Sequence, residues 1–383
     1  MHRLTGVIRP YAWGSRTIIA ELQGRPAPSD APEAELWLGA HPGDPSTVSG
    51  PDGPISLATV IEEDPKAQLG SPALDAFGPR LPYLMKLLAA EAPLSLQAHP
   101  DADYARRAFA AQEADPSLPR NYTDAYHKPE MLVAITPFEA LCGFRSPDVS
   151  ATALAALDLA ELAPVVAALR AGVSGLHEAV RLLLTWPEPD RASLVESVVA
   201  RSDSALVHTL ASHYPGDPGV LVALLLNHVR LAPGEAIWMP AGNMHAYLRG
   251  AGVEIMAASD NVLRGGLTPK RVDVDELLRV LRFEVLEDPI FPATPVAPGV
   301  TTWRVPVGEF ELYRVELGPG RPPVTLPATG PRIALGVEGD TFVAEPHGTP
   351  AELTPATAAY ASAETGALTL AGTGVAFVAA VPS

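Results

Sequence analysis

The stretch Pro240-Ala241-Gly242-Asn243-Met244-His245 decides how this chain is read. It follows Leu231-Ala232-Pro233-Gly234-Glu235-Ala236-Ile237-Trp238-Met239 and precedes Ala246-Tyr247-Leu248. A Pro-Gly turn leads into an apolar run. A second Pro-x-Gly turn follows, and then a histidine opens a new strand. A histidine at that place points either into a barrel or out to solvent.

The layout resembles the second metal-binding motif of cupins, which are small jelly-roll barrels. The expected fold class is mainly β with a helical insertion: cupin-like jelly-roll barrels, with the metal site in the first. Composition agrees. The 383 residues suffice for two or three domains at roughly 100–200 residues each. A hydrophobic content of 47% with 19% charged residues is that of a globular chain. The 41 prolines and 31 glycines imply many turns, yet together they stay below the roughly 25–30% of low-complexity chains.

The net charge of −17 repels nucleic acid and anionic membranes at long range. An anionic metabolite therefore needs a local basic pocket. The single cysteine, Cys142, sits in apolar Phe138-Glu139-Ala140-Leu141-Cys142-Gly143-Phe144 and reads as a buried thiol. One cysteine cannot form an internal disulfide, which fits a reducing compartment. Residues Met1 to Pro10 lack the apolar core of a signal peptide. The most apolar run, Val220 to Leu226, is far short of the ~20 residues that span a bilayer. A cytoplasmic monomer without nucleic-acid or membrane partners is expected.

Short strands broken by turns run to about residue 100. Pro82–Ala89 and Leu94–His99 read as two strands. Asp101 can cap a helix over Ala102–Ala114, and Ser146 can cap another that has Pro147 in its first position. Glu130–Ile135 and Phe138–Phe144 read as strands. Apolar spacing turns helical from Leu154 onward, so 146–227 reads as a helical insertion. Strands resume at Val229, and Val253–Ala257 reads as a further one. Val274–Leu281 reads as a short helix, and β character returns from about 300. The expected domains are 1–145 with 228–300 as the metal-bearing catalytic domain, 146–227 as the insertion, and 301–383 as a C-terminal β domain.

Gln97 and His99 are two apart on an expected strand and so share a face. Glu130 lies 31 residues beyond His99 in the sequence, and His245 stands at the turn. Two histidines with oxygen donors suit zinc at about 2.0–2.2 Å, although an amide oxygen is an unusual ligand. His213, at a helix end without a motif, is expected to be silent when replaced.

The segments now form an ordered set: Tyr11-Ala12-Trp13-Gly14, Glu35-Leu36-Trp37-Leu38-Gly39, Leu84-Met85-Lys86, Ser95-Leu96-Gln97-Ala98-His99-Pro100, His127-Lys128-Pro129-Glu130, Pro240 to Tyr247, and Asn261-Val262-Leu263-Arg264-Gly265-Gly266-Leu267-Thr268-Pro269-Lys270. The set resembles type I phosphomannose isomerases, zinc enzymes that interconvert mannose 6-phosphate and fructose 6-phosphate. The resemblance runs from residue 11 to about 282; beyond that only general β character matches. It implies zinc on Gln97, His99, Glu130 and His245. It also implies that Trp13, Lys86, Ser95, Lys128, Tyr247, Glu254, Asp260, Arg264 and Lys270 surround the sugar phosphate. Tyr126 departs from the asparagine that many members carry there, which leaves the local loop contacts open.

Isomerisation opens the sugar ring and moves a proton between C2 and C1 through an enediol. A base must take and return that proton, and a cation must stabilise the negative oxygen. Glu254, His127 and Lys128 are the base candidates, with Arg264 or Asp260 assisting. Lys86, Lys128, Arg264, Lys270 and Arg271 supply the basic pocket. Bland readings stand beside these: Trp13 as core packing, Glu254 paired with an arginine, Arg264 as a loop charge. The rival functions are a non-catalytic sugar-binding or regulatory cupin and a metal oxidoreductase.

Overall fold

The computed structural model describes residues 1–50, 53–326 and 329–382. Among these residues the strands form two antiparallel sheets of eleven strands each. The strand His245–Ala257 organises the first sheet. Its opening half pairs with Phe138–Phe144 and, at His245, with Gln97. Its second half lies between Tyr83–Ala90 and Glu130–Ala134. The two stretches read from sequence as separate strands, His245–Leu248 and Val253–Ala257, are therefore one. Gly250 makes that continuity possible. Its φ of +116° is open to glycine, and a Cβ there would sit 2.5 Å from the Pro137 carbonyl oxygen.

Register gives the two faces of this sheet opposite characters. Trp37, Lys86, Glu254 and Leu132 are direct neighbours across four strands, so their side chains share one face. One residue along, Leu36, Leu87, Val253 and Val133 share the other. That second face is fully apolar. It is buried in one core with Leu312, Ile333, Leu335, Tyr360 and Phe377 of the second sheet. The charged side chains on the first face can then look only toward the cleft, because the opposite side of the sheet is closed by packing.

The second sheet holds the strands from Thr294 to Ala380. It also takes in the first strand of the chain. His2–Thr5 pairs with Ala358–Ala361 on one side and with Thr47–Gly50 on the other. The N-terminal residues thus belong to the sheet of the C-terminal segment, and the sheets do not follow the boundaries expected from sequence at 1–145 and 301–383.

Six α-helices lie within 146–227, from Pro147–Ala155 to Gly219–Val222. Their apolar stripes, including Leu154, Leu169, Val180 and Leu183, pack together and against Leu96, Ala246 and Leu263 beneath the cleft. Asp101 caps its helix by accepting the Tyr104 N–H at 2.7 Å. Ser146 stands at the N-cap position of the first insertion helix but makes no side-chain cap bond. There Pro147 occupies the first turn, where a missing N–H costs nothing.

Candidate active site

A cleft of about 1120 Å³ opens on the charged face of the first sheet. Trp13, Lys86, Ser95, Gln97, Lys128, Glu130, Tyr247, Glu254, Asp260, Arg264 and Lys270 all line it. His99 and His245 lie fully buried against Glu130. The Glu130 carboxylate Oε2 is 3.2 Å from His99 Nε2 and 3.1 Å from His245 Nε2. The Gln97 amide is 3.3 Å from His245 Nε2; a half-turn of that amide exchanges its nitrogen for its oxygen. Four donors on a tetrahedral zinc sit about 3.4 Å apart, the edge set by ~2.1 Å bonds. The observed spacings match that edge.

Backbone carbonyls fix the orientation of both imidazoles. His99 Nδ1 is 2.7 Å from the Asn261 carbonyl and His245 Nδ1 is 3.0 Å from the Asn243 carbonyl. A carbonyl only accepts, so each Nδ1 carries the proton and each Nε2 offers a lone pair. His99 Nε2 is buried with no hydrogen-bond partner among the described residues. A buried acceptor without a partner is costly, and a cation between the three side chains removes that cost. Burial lowers the His99 pKa to about 4 against the pull of Glu130, so the ring is neutral, the form that ligates metal. Burial alone would raise the Glu130 carboxyl. The Lys128 ammonium beside it outweighs this and holds it well below the usual range. The residues fit zinc.

Beside this cluster runs a ladder of alternating charge. Lys86 Nζ lies 2.9 Å from Glu254 and 3.5 Å from Glu35. The Tyr247 hydroxyl donates to Glu254 at 2.7 Å, and Trp37 Nε1 donates to Glu35 at 2.6 Å. Lys128 Nζ lies 2.9 Å from Glu130. Burial works to discharge Lys86, but Glu254, Glu35 and Glu130 outweigh it and raise its pKa. Burial raises the Glu254 carboxyl even against Lys86. Glu254 thus pairs with a lysine, not with an arginine. Glu35 was missed as a site residue because its motif reads as ordinary strand.

Arg264 is half-buried, and burial lowers its pKa. Among the described residues neither Arg264 nor Lys270 has an ion-pair or hydrogen-bond partner for its side-chain charge. They are the cations this cleft leaves free for a ligand. Arg271 is paired instead with Asp273 at 3.0 Å and lines an adjoining pocket.

Two expectations change. His127 does not line the cleft; its ring is held by Glu309 at 2.6 Å. His213 does line it, together with Tyr214 and Asp217, so it is no neutral control site. Its helix end carries no motif because tertiary packing alone brings it to the rim. His41, not singled out from sequence, is buried edge-on against Trp37. Its Nδ1 accepts the Gly43 N–H at 3.1 Å, and its Nε2 faces Asp260 at 3.6 Å. Tyr126 turns its ring outward beneath Arg80, 3.7 Å from the ring centre. Cys142 is buried and its thiol is pushed up to about 11, the inert state expected of it.

The profile of the phosphomannose isomerase type I catalytic domain matches residues 1–147. Mannose-6-phosphate isomerase of Escherichia coli (strain K12) is 36% identical over 368 residues, covering 89% of each chain. Mannose-6-phosphate isomerase 2 of Arabidopsis thaliana is 34% identical, covering 88% of this chain and 84% of its own. A zinc-bound holo crystal structure of mannose 6-phosphate isomerase is similar at a TM-score of 0.88 and 30% identity, over 100% of this chain and 99% of that one. A point mutant of phosphomannose isomerase from Salmonella typhimurium reaches a TM-score of 0.90 at 31% identity, over 100% of both chains. By identity over most of its length, and by fold over all of it, the chain belongs to the type I phosphomannose isomerase family.

Proposed function

We propose that this chain is a zinc-dependent aldose–ketose isomerase that interconverts mannose 6-phosphate and fructose 6-phosphate through an enediol. The observation that carries the reading is His99 Nε2, an orphaned buried acceptor beside Glu130 and His245 at the wall of a cleft with two free cations. Gln97, His99, Glu130 and His245 would hold the metal, which when bound would supply Lewis-acid polarisation at the reacting end of the sugar.

The side chains divide the remaining work. Glu254 is the base that takes the C2 proton and returns it at C1. Its carboxylate is buried, which strengthens it as a base. Lys86 and the Tyr247 hydroxyl fix its direction. Lys128 is committed to Glu130 as an ammonium and contributes charge near the developing enediolate. Arg264 acts at the same end, and Asp260 assists proton transfer during ring opening. Lys270 and Ser95 receive the phosphate, and Trp13, which stacks on Tyr11 with ring centres 5.7 Å apart, covers the sugar. His127 acts from outside the cleft by anchoring its segment to Glu309.

The two sheets are best described as cupin-like barrels with the metal in the first, walled on one side by the insertion 146–227. The test is a coupled assay from mannose 6-phosphate to fructose 6-phosphate on protein of known metal content. About one zinc per chain is expected for a four-ligand site, with activity lost on chelation and restored by zinc. Full turnover in rigorously metal-free protein would overturn the reading.

A further inference from the structure

We infer that Asn261 and Asp124 form a latch that positions the metal site, holding His99 for ligation and tying the segment that carries Lys128 and Glu130 to the one that carries Asp260 and Arg264. The inference rests on the zinc reading above. Asn261 is fully buried, and its side chain is fully used. Its Oδ1 accepts the Thr123 N–H at 2.8 Å. Its Nδ2 donates to the Asp124 carbonyl at 2.9 Å, the Tyr126 carbonyl at 2.8 Å and Asp124 Oδ1 at 3.1 Å. The backbone carbonyl of the same residue takes the His99 Nδ1 proton at 2.7 Å.

Asp124 closes the knot from the other side. Its Oδ1 accepts from the Ser259 hydroxyl at 2.9 Å and the Tyr126 N–H at 2.8 Å. Its Oδ2 accepts the Asp260 N–H at 3.1 Å. One Asn–Asp pair thus joins the turn at 123–126, the turn at 259–261 and the histidine that follows the strand Leu96–Ala98. The three segments lie just past the ends of ladders, Ala98 with Leu263 and Glu130 with Met256, and the Asn–Asp pair carries the connection beyond them. Without the latch, the carbonyl that sets the His99 tautomer is held only from the ladder pair two residues away and by the Ser259 hydroxyl on the Asn261 N–H.

Partners that fix a metal-bound imidazole are typically worth about 10–100-fold in metal affinity. Asn261→Ala is therefore expected to weaken zinc binding by about that factor, read by competition with a chromophoric chelator and not by turnover. Asp124→Asn, which keeps the shape but removes the charge, should weaken it in the same direction by less. Thr341→Val is the control: it deletes a buried bond to the Leu353 carbonyl in the second sheet and should leave zinc affinity at the wild-type value. A folded Asn261→Ala protein with wild-type zinc affinity overturns the latch, as does equal weakening in all three variants. Should Asn261→Ala fail to fold, Asp124→Asn decides by the same criterion. A wild-type chain that binds no zinc defeats the underlying metal reading instead, so the two failures are told apart.

Discussion

At the scale of single residues, the clearest division in the cleft is between cations that are spent and cations that are free. Among the described residues Lys86 and Lys128 are each bound to buried carboxylates, whereas Arg264 and Lys270 are not. The two free cations differ in place. Arg264 is the register partner of Gln97, and Gln97 is the partner of His245, so all three side chains leave the sheet on one face. Lys270 lies on the loop beyond that strand, in a partly exposed stretch. A group at the metal end contributes mainly in the transition state, while a phosphate clamp contributes equally before and during reaction. Arg264→Ala should cut kcat by on the order of 10²–10³ with a modest change in KM, and Lys270→Ala should mainly raise KM. Arg264→Lys should rescue poorly, since an ammonium lacks the planar fork of donors. Steady-state kinetics at matched zinc content decide this. A normal kcat with a much higher KM in Arg264→Ala would move the residue to phosphate binding.

At the scale of elements, the insertion does more than stand beside the cleft. Helix Gly219–Val222 meets strand Leu263–Gly266 through a glycine-to-glycine contact. A Cβ on Gly219 would lie 2.6 Å from the Leu267 nitrogen and 2.9 Å from the Gly266 carbonyl carbon. Asp217 reinforces the junction, accepting the Thr268 N–H at 3.0 Å and the Gly219 N–H at 2.7 Å. Because the opposing atoms are backbone, they cannot swing aside as a side chain would. Gly219→Ala should cost about 1–3 kcal/mol of stability through overpacking. It should also push the strand bearing Arg264, where a shift of ~1 Å can cost about 10²-fold in rate. Val220→Ala, which leaves a small cavity in the same helix, is the comparison: a similar loss of melting temperature with much less loss of kcat/KM. Equal activity losses at equal destabilisation would show that the glycine contact does not set the strand.

At the scale of the whole molecule, the two sheets cannot be parted without exposing the apolar face between them. Leu36, Leu38, Met85, Leu87, Val253 and Ile255 are all buried in the core shared with Leu312, Ile333, Leu335 and Phe377. The strand His2–Thr5 would also lose its partner Ala358–Ala361. Apolar patches beyond a few hundred Å² are rare on soluble monomers. A chain ending at residue 300 should therefore aggregate on expression or bind a hydrophobic dye strongly, and should not retain the cooperative thermal transition of the full chain. A soluble fragment with a sharp melt and intact zinc binding would show that the first sheet stands alone.

The sequence by itself determined what depends on neighbours along the chain. The turns around Pro240 and Gly242 announced the break after Met239 and the strand that opens at His245, although these two flanking strands turn out not to pair with each other. The spacing of Leu154 to Leu210 announced the insertion helices, and Asp101 announced a cap. Residue chemistry in ordered motifs pointed to the carboxylates, imidazoles and cations that the fold then draws to one cleft. What only the tertiary structure decided depends on distances between segments far apart in sequence. Lys86 sits between Glu35 and Glu254, so an apolar strand carries a buried cation instead of a solvated one. His127 is held by Glu309 and turned from the cleft, while unremarkable His213 reaches its rim. Residues 2–5 join the sheet of residues 294–380, and two apparent strands are one strand continuous through Gly250. The physical reason is common to all four. Periodicity and turn chemistry report the local backbone, whereas strand partners and charge neutralisation are set when separate segments meet, and no local pattern encodes which segments those are.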